Sequence, residues 1–330
     1  MRTNPRPALL AIAFSLALTG LLSSGASMHA QVQAPPQVPA GPPQEPAGPT
    51  FRSGVAVVPI TALVRDARNR IVRDLKRDDF QVLEQGQVRP IVDFKAKNDA
   101  AVSVGFLFDT SGSMRLALNL EKGIWFVQTF LNQMAPDTDE ASLFTFHKAL
   151  RQEVPFTSDR ERIHQALGHV NPWGLTSLYD AIADSARRLA ERQAPRRALV
   201  VISDGIDTSS RLTAEQVSKL ASSIDVPVYI LGVDATAATV EHLDDEKRPS
   251  PLEWTGRLDY LARWSGGAFL PAATPALTKL AADQIVSDLR SGYLMAFAPR
   301  NLPGWHRLTV KVSRSNTTVR TRGGFWMGQK

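Results

Sequence analysis

The segment F-D-T-S-G-S-M, Phe108 to Met114, directly follows an apolar run from Val102 to Phe108. It places Asp109, Ser111 and Ser113 at alternate positions, and alternation points side chains the same way while a chain is extended. A carboxylate and two hydroxyls converging on one point suit a hard divalent cation such as Mg2+, which takes oxygen ligands and keeps several waters. A Ser/Gly/Asp cluster between strand and helix also makes an ordinary turn with a helix cap, so this segment alone leaves both readings open. Two further segments supply oxygen. In N-P-W-G-L-T-S-L-Y-D, Asn171 to Asp180, Thr176 stands just ahead of the helical pattern Leu178, Ile182, Leu189. A-L-V-V-I-S-D-G, Ala198 to Gly205, is an apolar run that ends on Asp204.

The elements that must position these groups are legible in outline. Fully apolar runs fit strands of a parallel sheet buried on both faces. The candidates are Val102 to Phe108, Ala141 to Phe146, Leu199 to Ile202, Val226 to Val233 and Ala268 to Pro271, with Glu153 to Phe156 as an antiparallel edge. Between them lie helical patterns at Leu116 to Met134, Glu161 to Leu167, Leu178 to Gln193, Ala214 to Ser223 and Pro275 to Leu289. Alternation at this spacing predicts an α/β fold with a doubly wound, mostly parallel sheet. Ligands of such sheets gather beyond the carboxyl ends of the strands, where Asp109 and Asp204 both stand.

D-T-S-G-S, then Thr176 in G-L-T-S-L-Y-D-A, then Asp204 in S-D-G resembles the von Willebrand factor type A domain and its metal-ion-dependent adhesion site. The three motifs keep that family's order, and the resemblance covers about residues 99–292. It implies that Ser111, Ser113 and Thr176 offer hydroxyls to a metal, with Asp109 and Asp204 acting directly or through water. The implied cofactor is Mg2+, with Mn2+ or Ca2+ as alternatives. Arg115 follows Met114 where some relatives carry acidic residues for an adjacent cation, which speaks against a second site here. Trp264-Ser-Gly-Gly-Ala-Phe is similar to the family's Gly-Gly turn before its last strand. In relatives the loops around the metal and the last helix shift on ligand binding.

Other chemistries find less support. Asp109 at a strand end beside Mg2+ also fits the phosphoryl-accepting nucleophile of a Mg2+-dependent phosphoester hydrolase. Such a site is expected to carry a second carboxylate two positions later for acid/base work, and Ser111 stands there. T-S-G-S lacks the Gly-x-Ser-x-Gly of a nucleophile elbow, and no P-loop or dinucleotide glycine fingerprint appears. His164 and His169 are five apart and leave a common helix face. Glu241-His-Leu-Asp-Asp-Glu lacks the spacing of a Ca2+ loop and reads as a solvated insertion. Asp180 and Asp207 are candidates for orienting waters at the site, and Asp180 equally for a first-turn helix carboxylate. Trp125 and Phe126 read as core.

The 330-residue chain is 43% hydrophobic, enough for more than one core, and contains no cysteine. Disulfides, cysteine metal sites and cysteine nucleophiles are therefore excluded. Residues 1–30 read as a signal peptide: Arg2 and Arg6, an apolar stretch from Ala8 to Leu22, then small residues at Ser24 and Ala26. Residues 31–50 form a linker of Pro, Gln, Ala and Gly. Residues 51–98 read as a β segment, with Pro59 in Val55 to Val64 suggesting an edge strand. Gly292 to Ala298, Leu308 to Val312 and Val319 to Trp326 are β-like runs of a C-terminal segment, 293–330. Neither flank has strands enough alone, so we expect them to form one β-sandwich with the α/β domain, 99–292, inserted between them.

Charge divides the same way. Residues 99–292 carry 19 basic and 25 acidic side chains, 51–98 carry 10 and 6, and 293–330 carry 7 and none. Solvated, complementary surfaces account for the basic flanks, because their charges alternate with apolar residues as on an exposed strand face. Nucleic acid is not an expected partner, nor is a membrane once the signal is cleaved. Mg2+ held by two carboxylates and three hydroxyls keeps one octahedral position for an outside oxygen. The expectation is an exported, periplasmic or secreted adhesion protein, not an enzyme, that captures a partner's Asp or Glu carboxylate through the metal.

Overall fold

The computed structural model describes residues 57–96, 100–233 and 251–328, without the side chains of 251–255. Residues 1–56 and the acidic segment Glu241 to Glu246, for which a signal peptide, linker and solvated insertion were expected, lie outside the described residues. In chain order the first elements are β1 (Val58–Asp66), β2 (Phe80–Glu84), β3 (Gln87–Arg89), β4 (Ile91–Lys95) and β5 (Val102–Asp109). There follow α1 (Asn119–Leu131), β6 (Glu140–Phe146), β7 (Leu150–Thr157), α2 (Arg160–Leu167), α3 (Leu178–Ala190) and β8 (Arg196–Ser203). The rest are α4 (Ala214–Ser223), β9 (Val228–Gly232), α5 (Pro251–Ser265), β10 (Phe269–Pro271), α6 (Pro275–Ser291), β11 (Tyr293–Phe297), β12 (Gly304–Val312), β13 (Thr317–Arg320) and β14 (Gly324–Met327).

The central sheet runs β10-β9-β8-β5-β6-β7, parallel except for β7, which pairs antiparallel with β6 as an edge. Every residue of β5 and of β9 is buried, as strands covered on both faces require. One face is covered by α1, α2 and α6 through Phe126, Phe130, Ile163, Leu167 and Ile285. The other is covered by α3, α4 and α5 through Ile182, Leu189, Val217, Leu258 and Leu261. The chain leaves β5 toward β6 and leaves β8 toward β9, so the strand order reverses between these neighbours. A crevice opens at their carboxyl ends, where Asp109 and Asp204 lie.

The flanks fold together. One sheet runs β13-β1-β11-β4 and the other β14-β12-β2-β3, so each mixes N-terminal with C-terminal strands. Their inner faces share a core that includes Ile60, Val64, Val82, Tyr293, Phe297, Val310 and Phe325. Strand β12 shows the alternation that builds it: His306, Leu308 and Val310 point inward, while Arg307, Thr309 and Lys311 face solvent.

Several local expectations need correction. Pro59 does not mark an edge strand, because β1 lies between β11 and β13. Proline is tolerated there because β13 pairs only from Leu63 onward, leaving β11 as the one strand beside Pro59 among the described residues. The first helix does not begin at Leu116: Gly112–Arg115 forms a 3-10 turn, and Ala117 (φ 50°) and Leu118 (φ 60°) are left-handed. It also ends at Leu131, short of Met134. Trp125 is 39% exposed and not core, unlike the fully buried Phe126. Helix α5 was not foreseen.

Candidate metal centre

Three loops and one strand end meet at the crevice. Asp109, last residue of β5, is fully buried. Its Oδ1 accepts the Ser111 N–H at 2.8 Å, which folds the next residues back over the strand end. The Ser111 and Ser113 hydroxyls then lie 3.1 Å apart, brought side by side by the 3-10 turn of Gly112–Arg115 and not by an extended strand. Asp109 Oδ2 accepts the Ser203 hydroxyl at 2.6 Å, and Ser203 Oγ in turn accepts the Gly205 N–H at 2.9 Å. Gly205 (φ 89°) lets the chain turn there, with Asp204 between the two. Asp204 Oδ1 accepts the Ile206 N–H at 3.1 Å.

The loop carrying Thr176 is laced to both sides. Gly112 N–H donates to Gly174 O at 3.2 Å and Trp173 N–H to Thr110 O at 2.7 Å. Thr176 is 3% exposed, and its carbonyl accepts from the Thr208 and Ser209 N–H groups at 2.9 Å each. Its own N–H donates to Thr208 Oγ1 at 2.9 Å. Asp207 Oδ1 accepts the Leu178 N–H at 2.7 Å and the Ser210 hydroxyl at 2.6 Å. Asp180 accepts the Arg211 and Leu212 N–H groups at 3.1 and 3.0 Å. Asp180 and Asp207 thus hold the loop of 207–213 against the start of α3.

Electrostatics singles out one group. Burial, and after it the negative charge of Asp204, push the Asp109 carboxyl up from 3.8 to about 7. Two carboxylates are thus held close enough to repel in a dehydrated place, and a cation between them removes that penalty. Among the described residues no three His, Cys, Asp or Glu side chains gather as a metal-holding group. A cation here would therefore depend on hydroxyl oxygens beside the two carboxylates, a donor set that suits Mg2+ and not a soft metal. The residues fit the ion.

Sequence reasoning missed Ser203 and the Thr208–Ser210 clamp. Ser203 carries a weak signal, as the polar residue that closes an apolar strand. The clamp has none, since its partners lie about thirty residues away in the chain.

A three-layer α/β domain with an oxygen-rich crevice at the reversal of strand order is a fold class shared by many binding and catalytic proteins. Residues 104–206 match the von Willebrand factor type A domain family, and this chain carries a domain of that type. An uncharacterized protein of Borreliella burgdorferi is 27% identical over 113 residues, covering 33% of each chain. The chain thus spans about a third of the length of the curated relative it matches. Among solved structures, an aerotolerance-related membrane protein of Bacteroides fragilis is 23% identical, with 56% of this chain and 98% of that one covered and a TM-score of 0.46. Three N-terminal domains of the type V pili tip protein Mfa5 of Porphyromonas gingivalis are 14% identical, with 84% and 67% covered and a TM-score of 0.46.

Proposed function

We propose that this protein is an extracytoplasmic, metal-dependent binding module that captures a partner's carboxylate through a divalent cation. The cation is held by Asp109, Ser111, Ser113, Thr176 and Asp204. The observation that carries this reading is the buried Asp109 carboxyl, pressed by the Asp204 charge and flanked by the Ser111 and Ser113 hydroxyls 3.1 Å apart. A partner Asp or Glu adds charge attraction to an ion that the two protein carboxylates only just neutralise. No bond-breaking step is part of the reading, because Ser111 stands where a phosphoester hydrolase would place its second carboxylate. Export rests on the charged, apolar and small-residue pattern of residues 1–30.

Calorimetric titration of the purified protein with Mg2+ tests the site. The wild type binds, and Asp109→Asn and Asp204→Ala each weaken binding by more than about tenfold, as loss of a charged ligand requires. Equal Mg2+ binding by wild type and Asp109→Asn overturns the assignment. Sustained phosphate release with Mg2+, abolished by Asp109→Asn, would instead establish the hydrolase. A pull-down from envelope extract, with Mg2+ or chelator and with wild type or Asp109→Ala, then identifies the partner as the protein lost in both control lanes.

A further inference from the structure

The rim of the crevice is apolar to a degree that folding does not explain. Leu116, Leu118, Trp173 and Leu175 are all exposed, Leu118 at 66% and Trp173 at 60%. They stand on the same two loops as Ser113 and Thr176. Leu116 N–H donates to Ser113 O at 3.0 Å, while Trp173 and Gly174 are bonded to Thr110 and Gly112. The Trp173 ring is braced by His147, with centroids 4.8 Å apart.

One side of this rim is also strained. Ala117 and Leu118 are consecutive non-glycine residues at φ 50° and 60°. That conformation is disfavoured for any L side chain, and strain persists where surrounding structure holds a residue for use. Leu118 gains no burial in return. The loops 110–118, 147–149 and 171–177 carry Arg115, His147 and Lys148 and no carboxylate. These loops are thus apolar and basic together, while the third loop at the crevice, 204–213, carries Asp204, Asp207 and Arg211.

We infer that Leu116 and Leu118 on one side, and Trp173 and Leu175 on the other, form a collar that selects a protein segment whose Asp or Glu has bulky apolar side chains two positions to either side. This rests on the carboxylate-on-cation reading above and adds the partner's chemical class. In an extended segment with its acidic side chain on the metal, the residues two positions to either side, about 7 Å away, point to the same face and so toward the collar. Arg115 and Lys148 favour an acidic segment over a basic one.

The test uses the full chain and two acetylated, amidated peptides, Leu-Gly-Asp-Gly-Phe and Gly-Gly-Asp-Gly-Gly. Binding is followed by titration calorimetry, and in the wild type and Leu118→Gly also by the Trp173 indole N–H resonance, assigned through Trp173→Phe. With Mg2+, the apolar-flanked peptide should bind at least about tenfold more tightly, since two half-buried apolar side chains contribute that much. In Leu118→Gly and in Trp173→Ser the preference should fall below about threefold, while the glycine peptide binds as before. Glycine suits the left-handed backbone at 118, so that variant keeps its fold. Both peptides should be released by chelator.

Equal affinities in the wild type, both Mg2+-dependent, overturn the collar and leave the cation reading intact. A preference that persists in chelator overturns the inference together with its premise. Failure of both peptides to bind also overturns it, and the Mg2+ titration then decides separately whether the cation site stands.

Discussion

At the scale of single residues, Asp109 makes a prediction about acidity. Its folded-state carboxyl titrates near 7 against an ordinary 3.8, so the metal-free folded protein holds a proton that the unfolded chain has released. Stability associated with that proton is complete below about pH 4 and is lost as pH rises toward 7. A cation reverses the preference because it favours the carboxylate. Mg2+ should therefore raise the melting temperature little at about pH 5 and clearly at about pH 8. An equal rise at both values, read by differential scanning fluorimetry, contradicts the linkage between Asp109 and the ion. Asp109, Ser111 and Ser113 stood out in the sequence because they are local to one another, although a 3-10 turn and not extended alternation sets the two hydroxyls side by side. Ser203 was not, since its bond to Asp109 joins positions 94 apart and strand adjacency decides it.

At the scale of elements, the backbone before α1 and the turn before β10 make opposite predictions. Leu118→Gly removes a left-handed leucine at little cost in packing, and should stabilise the protein by about 0.5–1 kcal/mol in urea unfolding. A clear loss of stability would show that Leu118 packs usefully and is not strained. Gly267→Ala should instead destabilise by about 3 kcal/mol or more, because an added Cβ would lie 2.0 Å from Val228 O. Unchanged stability there would mean that the turn can open. The Gly-Gly turn and the bounds of α4 were readable from the sequence. The start of α1 was not, because nothing in Leu116 to Leu118 opposes a helix locally; hydrogen bonds from Gly112 to Gly174 and from Leu116 to Ser113 impose the 3-10 turn. Helix α5 escaped because Thr255 and Gly256 interrupt its pattern with poor helix formers. Trp125 lies beside, and not on, the stripe of Phe126, Val127, Phe130 and Leu131 that meets the sheet.

At the scale of the molecule, two hydrophobic bodies meet across a seam of arginines. Asp288 near the end of α6 is buried and pairs with both Arg65 of β1 and Arg320 of β13. Arg320 also lies over the Tyr229 ring of β9, 5.5 Å from its centroid. Arg196 donates to the Leu289 and Gly292 carbonyls, and Arg322 to the Ser222 and Pro59 carbonyls. Asp288→Ala leaves two guanidinium groups without their shared carboxylate and should cost on the order of 3 kcal/mol. A change below about 1 kcal/mol in calorimetry would show that the seam depends on packing and not on that ion. Strand counts and charge pointed to a union of the two flanks. Which strands pair could not be read, because β1 and β11 meet more than two hundred residues apart.

The seam has one more consequence, in how the chain passes through it. The thread leaves the sandwich after β4 and returns at β11, and Lys95 and Leu294 stand opposite each other in those paired strands. The exit and the re-entry are therefore about 5 Å apart, the spacing of facing residues in an antiparallel ladder. A guest that enters and leaves at facing positions of one ladder interrupts no strand pairing of its host at the point of insertion.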